Sequence, residues 1–142
     1  MKKTTQELLD LMKNARSYAE YLRENIESIG SVHMRIDRAL NALLAQKELP
    51  KAEVIARSGI ETHYAYQIFS GSKTPTRDKV LMLCVGLGLG AEEAQQLLKV
   101  TGYAQLYGKD ERDNVILFGL TKHLSIIDLN DLLYEMHLEL FR

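Results

Sequence analysis

The chain has 142 residues, 46% of them hydrophobic, with a formal net charge of −1 and a single cysteine. That composition can build a core and excludes a disordered chain, and no apolar run approaches the roughly 20 residues that span a bilayer. The start, Met1-Lys-Lys-Thr-Thr-Gln-Glu, carries acids and turns amphipathic. It is therefore no signal peptide, and a cytoplasmic, membrane-free protein is the expectation.

Taken in chain order, the periodicity predicts helices and no strands. A first helix is expected over about residues 5–29, with Leu8, Ala15, Leu22 and Ile29 recurring every seven residues and Met12, Ala19 and Ile26 between them. This stripe reads either as a long amphipathic helix packed on its own domain or as a dimerisation arm. Gly30-Ser31 breaks it. A second helix follows over about residues 33–47, with Ile36, Leu40, Leu43 and Leu44 on one face. A short helix over about residues 50–58 opens on Pro50 and ends at Gly59, which can take positive φ. The next, about residues 62–70, stops at Gly71. Thr76 is placed to cap the helix that carries Val80, Leu81, Leu83 and Cys84, where the thiol reads as a small buried apolar group. Gly86-Leu-Gly-Leu-Gly90 lacks the preceding strand and the spacing of a phosphate loop, and marks one helix end and the next start. A helix over about residues 91–101 then leads to a hairpin of two more, about residues 110–123 and 126–141.

The stretch from Lys51 to Gly71 carries the functional pattern. Two short helices meet at a tight turn made by Gly59, Ile60 plugs the gap, and Ala52 or Ala56 offers a small residue for the crossing. On the second helix Ala65, Ile68 and Phe69 form one stripe, and Thr62, His63, Tyr66, Gln67 and Ser70 the opposite one. That opposite face is uncharged and rich in hydrogen-bonding groups of a reach suited to base edges. Charge follows the same division. Residues 32–79 carry eight basic against five acidic side chains, residues 1–31 carry five of each, and residues 80–142 carry five against nine.

These residues resemble an Xre-type, lambda-repressor-like DNA-binding domain over about residues 35–98, chiefly through Ala56-Arg-Ser-Gly59-Ile60, Ile68-Phe69-Ser70-Gly71 and Lys73-Thr-Pro75. The resemblance implies an all-α helix-turn-helix domain with an N-terminal amphipathic helix and a C-terminal helical hairpin. The division expected is residues 1–31, 32–101 and 102–142. It implies base contacts from Thr62, His63 and Gln67, to which the exposed stripe adds Tyr66, and backbone contacts from Lys51, Ser70, Lys73, Thr74 and Thr76. Double-stranded DNA is the partner it implies, and a homodimer follows because a few base contacts cannot select a genomic site. Bulky Tyr64 and Tyr66 and acidic Glu61 depart from the pattern. The alternative is a protein-interaction or antitoxin-like module on the same fold with weak or no DNA binding. No enzyme is expected: His33, His63, His123 and His137 lack metal-ligand spacing, and Asp128, Asp131 and Glu135 fit a solvated acidic face. No cofactor and no catalytic or metal-binding residue is assigned, and no effector pocket is legible.

Overall fold

A computed structural model describes residues 2–25 and 33–142, and the described residues are helical with no strand. They fall into two units, Met1–His33 and Met34–Arg142.

In the first unit the expected continuous helix is two: α1 over Thr5–Asn14 and α2 over Tyr18–Asn25. Ala15 turns to extended backbone (φ −78, ψ 139), and the Ser17 hydroxyl accepts the Glu20 N–H at 3.1 Å. A serine that satisfies an orphan N–H favours a new helix start over continuation. The seven-residue stripe is therefore no single seam, and its last members, Ile26 and Ile29, lie outside the described residues, as do Gly30 and Ser31. Tyr21 and Asn25 are the buried residues of α2, and Lys3 donates to the Asn25 side chain.

In the second unit α3 spans Ile36–Lys47, α4 Lys51–Ser58, α5 Thr62–Ser70, α6 Arg77–Gly86, α7 Ala91–Thr101, α8 Glu111–Thr121 and α9 Ile126–Glu135. One core runs through all seven helices, from Leu40 of α3 to Leu133 of α9. Its middle is α6, whose Val80, Leu81, Met82, Leu83 and Cys84 are all buried. A helix apolar all round must be enclosed by its neighbours. Burial pushes the Cys84 thiol up to about 12, consistent with an inert core group.

The tightest contact is between α6 and α4. A Cβ on Gly86 would lie 2.5 Å from the Val54 carbonyl oxygen and 3.2 Å from the Ser58 nitrogen. The small residue that permits the crossing therefore sits on α6. Ala52 and Ala56, expected to provide it, face outward, while Val54, Ile55 and Ser58 of α4 are buried. Three other boundaries shift. Pro50 is the residue before α4 rather than its first, α3 starts at Ile36, and α9 stops at Glu135 instead of reaching residue 141. Phe118 and Met136, placed in the apolar stripes of the hairpin, are exposed.

Helix propensity alone favours alanine over glycine by about 1 kcal/mol. Gly86→Ala is nonetheless expected to destabilise the chain by roughly 1–3 kcal/mol, because the added methyl meets backbone. Urea unfolding checks this: the midpoint should fall with an unchanged slope, and a midpoint that rises refutes the steric assignment.

Candidate nucleic-acid interface

Helices α4 and α5 are joined by a turn at residues 59–61. Gly59 takes φ 75 there, and Ile60 is buried, its N–H held by the Ser58 hydroxyl at 3.1 Å. Glu61 starts α5: its carboxylate accepts the N–H groups of Tyr64 at 2.7 Å and His63 at 3.0 Å. Those two bonds, Tyr64 first, hold the Glu61 carboxyl below its ordinary range. The acid that departs from the DNA-binding pattern is therefore the helix cap, and it occupies N–H groups that could otherwise bind phosphate.

On α5 the buried stripe is Ala65, Ile68 and Phe69, as the periodicity predicts. Thr62, His63, Tyr66 and Ser70 are exposed and Gln67 is half-buried. Tyr64 differs from expectation. It is half-buried against the core with Lys79 Nζ 6.0 Å from its ring centre, so Tyr66 is the bulky group left on the outer face. The far end of α5 is anchored by Asn41 of α3, a residue the periodicity does not single out. Its amide donates to the Phe69 carbonyl at 2.9 Å and the Asp37 carbonyl at 2.8 Å.

The residues expected at the DNA backbone lie at the start of α4, at the end of α5 and in the loop after it. Lys51, at the start of α4, lies with Nζ 5.4 Å from the Phe69 ring centre of α5. Lys73, Thr74 and Thr76 are exposed in the loop after α5. Ser70 and Thr76 also have structural work: the Ser70 hydroxyl donates to the Gln67 carbonyl, and the Thr76 hydroxyl accepts the Lys79 N–H.

Pairing thins the positive charge of residues 32–79. Arg35 pairs with Asp37, Lys47 with Glu93, Arg57 with Glu53 and Arg77 with Asp113, and Lys79 donates to the main-chain oxygen of Arg142. Among the described residues, Arg38, Lys51 and Lys73 have no ion pair. Net charge by sequence therefore overstates the cations available to phosphate.

Arg77 belongs to a crossed arrangement. Arg77 and Asp78 open α6, and Arg112 and Asp113 stand in the first turn of α8. Arg77 grips Asp113 through two bonds of 3.1 and 2.9 Å, and Arg112 grips Asp78 through two of 3.0 Å. Arg77 also donates to the Ala104 and Gln105 carbonyls, and Tyr103 donates its hydroxyl to the Pro75 carbonyl at 2.6 Å. The loop that carries Lys73, Thr74 and Thr76 is thus fixed against residues 103–105. Burial by itself would raise the Asp113 carboxyl, but hydrogen bonds from Arg77 and the Tyr107 N–H outweigh it and hold the group below its ordinary value. The repeated Arg-Asp dipeptide is visible in the sequence, but which acid meets which base is not.

No family model, curated protein or solved structure matches the chain. Among the described residues no group of histidine, cysteine and carboxylate side chains could hold a metal ion, and no helix is long and apolar enough to cross a membrane.

A carboxyl depressed in the folded state adds stability that is complete above its unfolded value, about 3.9, and is lost as pH falls through the folded one. Asp113→Asn is expected to cost roughly 2 kcal/mol at neutral pH, discounted for partial exposure of Arg77. It should also flatten the loss of stability below about pH 4. Urea midpoints across pH check this, and parallel acid limbs in the two proteins would remove Asp113 as the titrating clamp.

Proposed function

We propose that the chain is a sequence-specific regulator that binds double-stranded DNA through a lambda-repressor-like helix-turn-helix made by α4 and α5, acting as a homodimer. One observation carries the reading: α5 turns an uncharged, hydrogen-bonding face outward while its other face is fixed in the core. On this reading Thr62, His63, Tyr66 and Gln67 meet base edges in the major groove. Gln67 suits the paired donor and acceptor of adenine, Thr62 a thymine methyl or an acceptor, and His63 a guanine acceptor. Lys51, Ser70, Lys73, Thr74 and Thr76 hold the sugar-phosphate backbone and set the register.

The charge distribution shapes this proposal. With only about three basic side chains of residues 33–79 left without an internal partner, few counterions are released on binding. Specificity must then rest on base contacts and a twofold partner rather than on electrostatic attraction. The same thinning of charge favours a second reading, a protein-interaction module on this fold with little DNA affinity.

Selection from a random duplex library at low salt separates the two. The regulator reading expects an enriched pair of half-sites one or more helical turns apart, about 10–10.5 base pairs per turn. The logarithmic salt slope should be no steeper than about −5.4, set by about three phosphate contacts in each half of the dimer. His63→Ala or Gln67→Ala should relax base preference by about 1–3 kcal/mol at single positions, and Lys73→Ala should weaken all sequences alike. No binding to any duplex at low salt sinks the regulator and leaves the interaction module.

A further inference from the structure

Glu61 is the acid that breaks the DNA-binding pattern, and neither the base-reading nor the phosphate-holding set includes it. It is exposed and stands immediately before Thr62 and His63 of the outer face. Its two carboxylate oxygens are divided between two donors: Oε1 accepts the His63 N–H at 3.0 Å and Oε2 the Tyr64 N–H at 2.7 Å. These bonds fix the group over the open end of α5, where an untied glutamate would sample many rotamers. They also hold the carboxyl below its ordinary range, so it is an anion at neutral pH. Among the described residues it has no ion pair. Capping alone does not call for a glutamate: Thr4, Thr76, Asp110 and Ser125 cap α1, α6, α8 and α9 through shorter side chains.

A carboxylate offers about four lone-pair sites, and the cap uses two. Among the described residues the others meet no donor. The leading end of α5 therefore carries a fixed negative charge with acceptor capacity to spare. Phosphates repel such a charge, so the helix end is favoured over the groove floor and disfavoured over the backbone. On that floor the bases differ in what they offer an anion. Guanine presents two acceptors, thymine presents one, and adenine sets its amino group beside the N7 acceptor. Cytosine presents an amino group with no acceptor beside it. A carboxylate is thus attracted by cytosine and repelled by guanine, and discrimination by both signs is what specificity requires.

Resting on the regulator reading above, we propose that Glu61 is a specificity-determining residue that accepts a hydrogen bond from the 4-amino group of a cytosine while it caps α5. Cap and readout are one arrangement. The N–H bonds that close the helix end also hold the carboxylate in place before DNA arrives, so little side-chain freedom is lost on binding.

The test is selection from a random duplex library at low salt with the wild type and with Glu61→Gln, which keeps a capping carbonyl oxygen and removes the charge. The wild-type half-site should contain a position where cytosine is preferred over each other base by at least about fivefold, and Glu61→Gln should abolish that preference there alone. A role confined to capping gives the opposite pattern: Glu61→Gln weakens every sequence alike and leaves all base preferences intact, which overturns the proposal. A second arm uses wild-type protein only, so it does not depend on the variant folding. Replacing that cytosine with 2-pyrimidinone, which lacks only the 4-amino group, should weaken binding at least about fivefold, and the same replacement outside the half-sites should not. Equal affinities, or a half-site with no such cytosine, overturn the proposal. A wild type that binds no duplex sinks the regulator reading and this inference with it. A wild type that enriches half-sites indifferent to Glu61 sinks this inference alone.

Discussion

Arg77 and Asp78 open α6 with opposite charges side by side, and Arg112 and Asp113 do the same in the first turn of α8, so the two helices meet by exchanging partners. A guanidinium fork matches a carboxylate in one plane, which makes each pair directional as well as attractive. Desolvation offsets much of the Coulomb gain, and the remaining donors and acceptors must be satisfied nearby for the arrangement to hold. They are: Arg77 reaches the carbonyls of Ala104 and Gln105, Asp113 takes the Tyr107 N–H, and Arg112 reaches the carbonyl of Glu139. Reversing a single charge would set two like charges against each other, so these pairs fix which end of α6 meets the start of α8.

From that fixed point the outward face of α5 follows by contact. Helix α6 lies against α4 through Gly86, α4 leads into α5 through the Gly59 turn, and Asn41 of α3 ties down the end of α5. The loop between α5 and α6 is fixed at its far side by Tyr103 on Pro75. The outer face is consequently presented by a rigid frame rather than by a mobile loop, a condition for reading base edges whose groups must be placed to within a fraction of an ångström.

The same network governs charge. Every basic group spent on an internal carboxylate is withdrawn from the surface, and the Arg77 pair that orients α6 is one such expenditure. The few cations left unpaired among residues 33–79 could not hold DNA through its phosphates alone. Lys79 illustrates the sharing: it lies over the ring of Tyr64 on α5 and also donates to the tail. Arg112 likewise serves both the crossed pairs and the Phe141 ring that packs against its guanidinium.

The amino-acid order determined what local physics controls. Apolar spacing placed the helices of residues 34–142 and the buried stripe Ala65, Ile68 and Phe69. Glycine permitted the turns at Gly59 and Gly71, and hydroxyls placed the cap at Thr76. It left the first helix as one where Ser17 makes two, because capping and continuation differ by about one hydrogen bond. The tertiary structure alone decided that Gly86, and neither Ala52 nor Ala56, lies at the helix crossing, since that depends on which helix comes nearest in space. It decided that Tyr64 turns inward and that Phe141 returns to the core through Asn130. The crossing of the two Arg-Asp pairs was equally hidden. A dipeptide announces two charges, and only the packing of helices 35 residues apart determines which opposite charge each one meets.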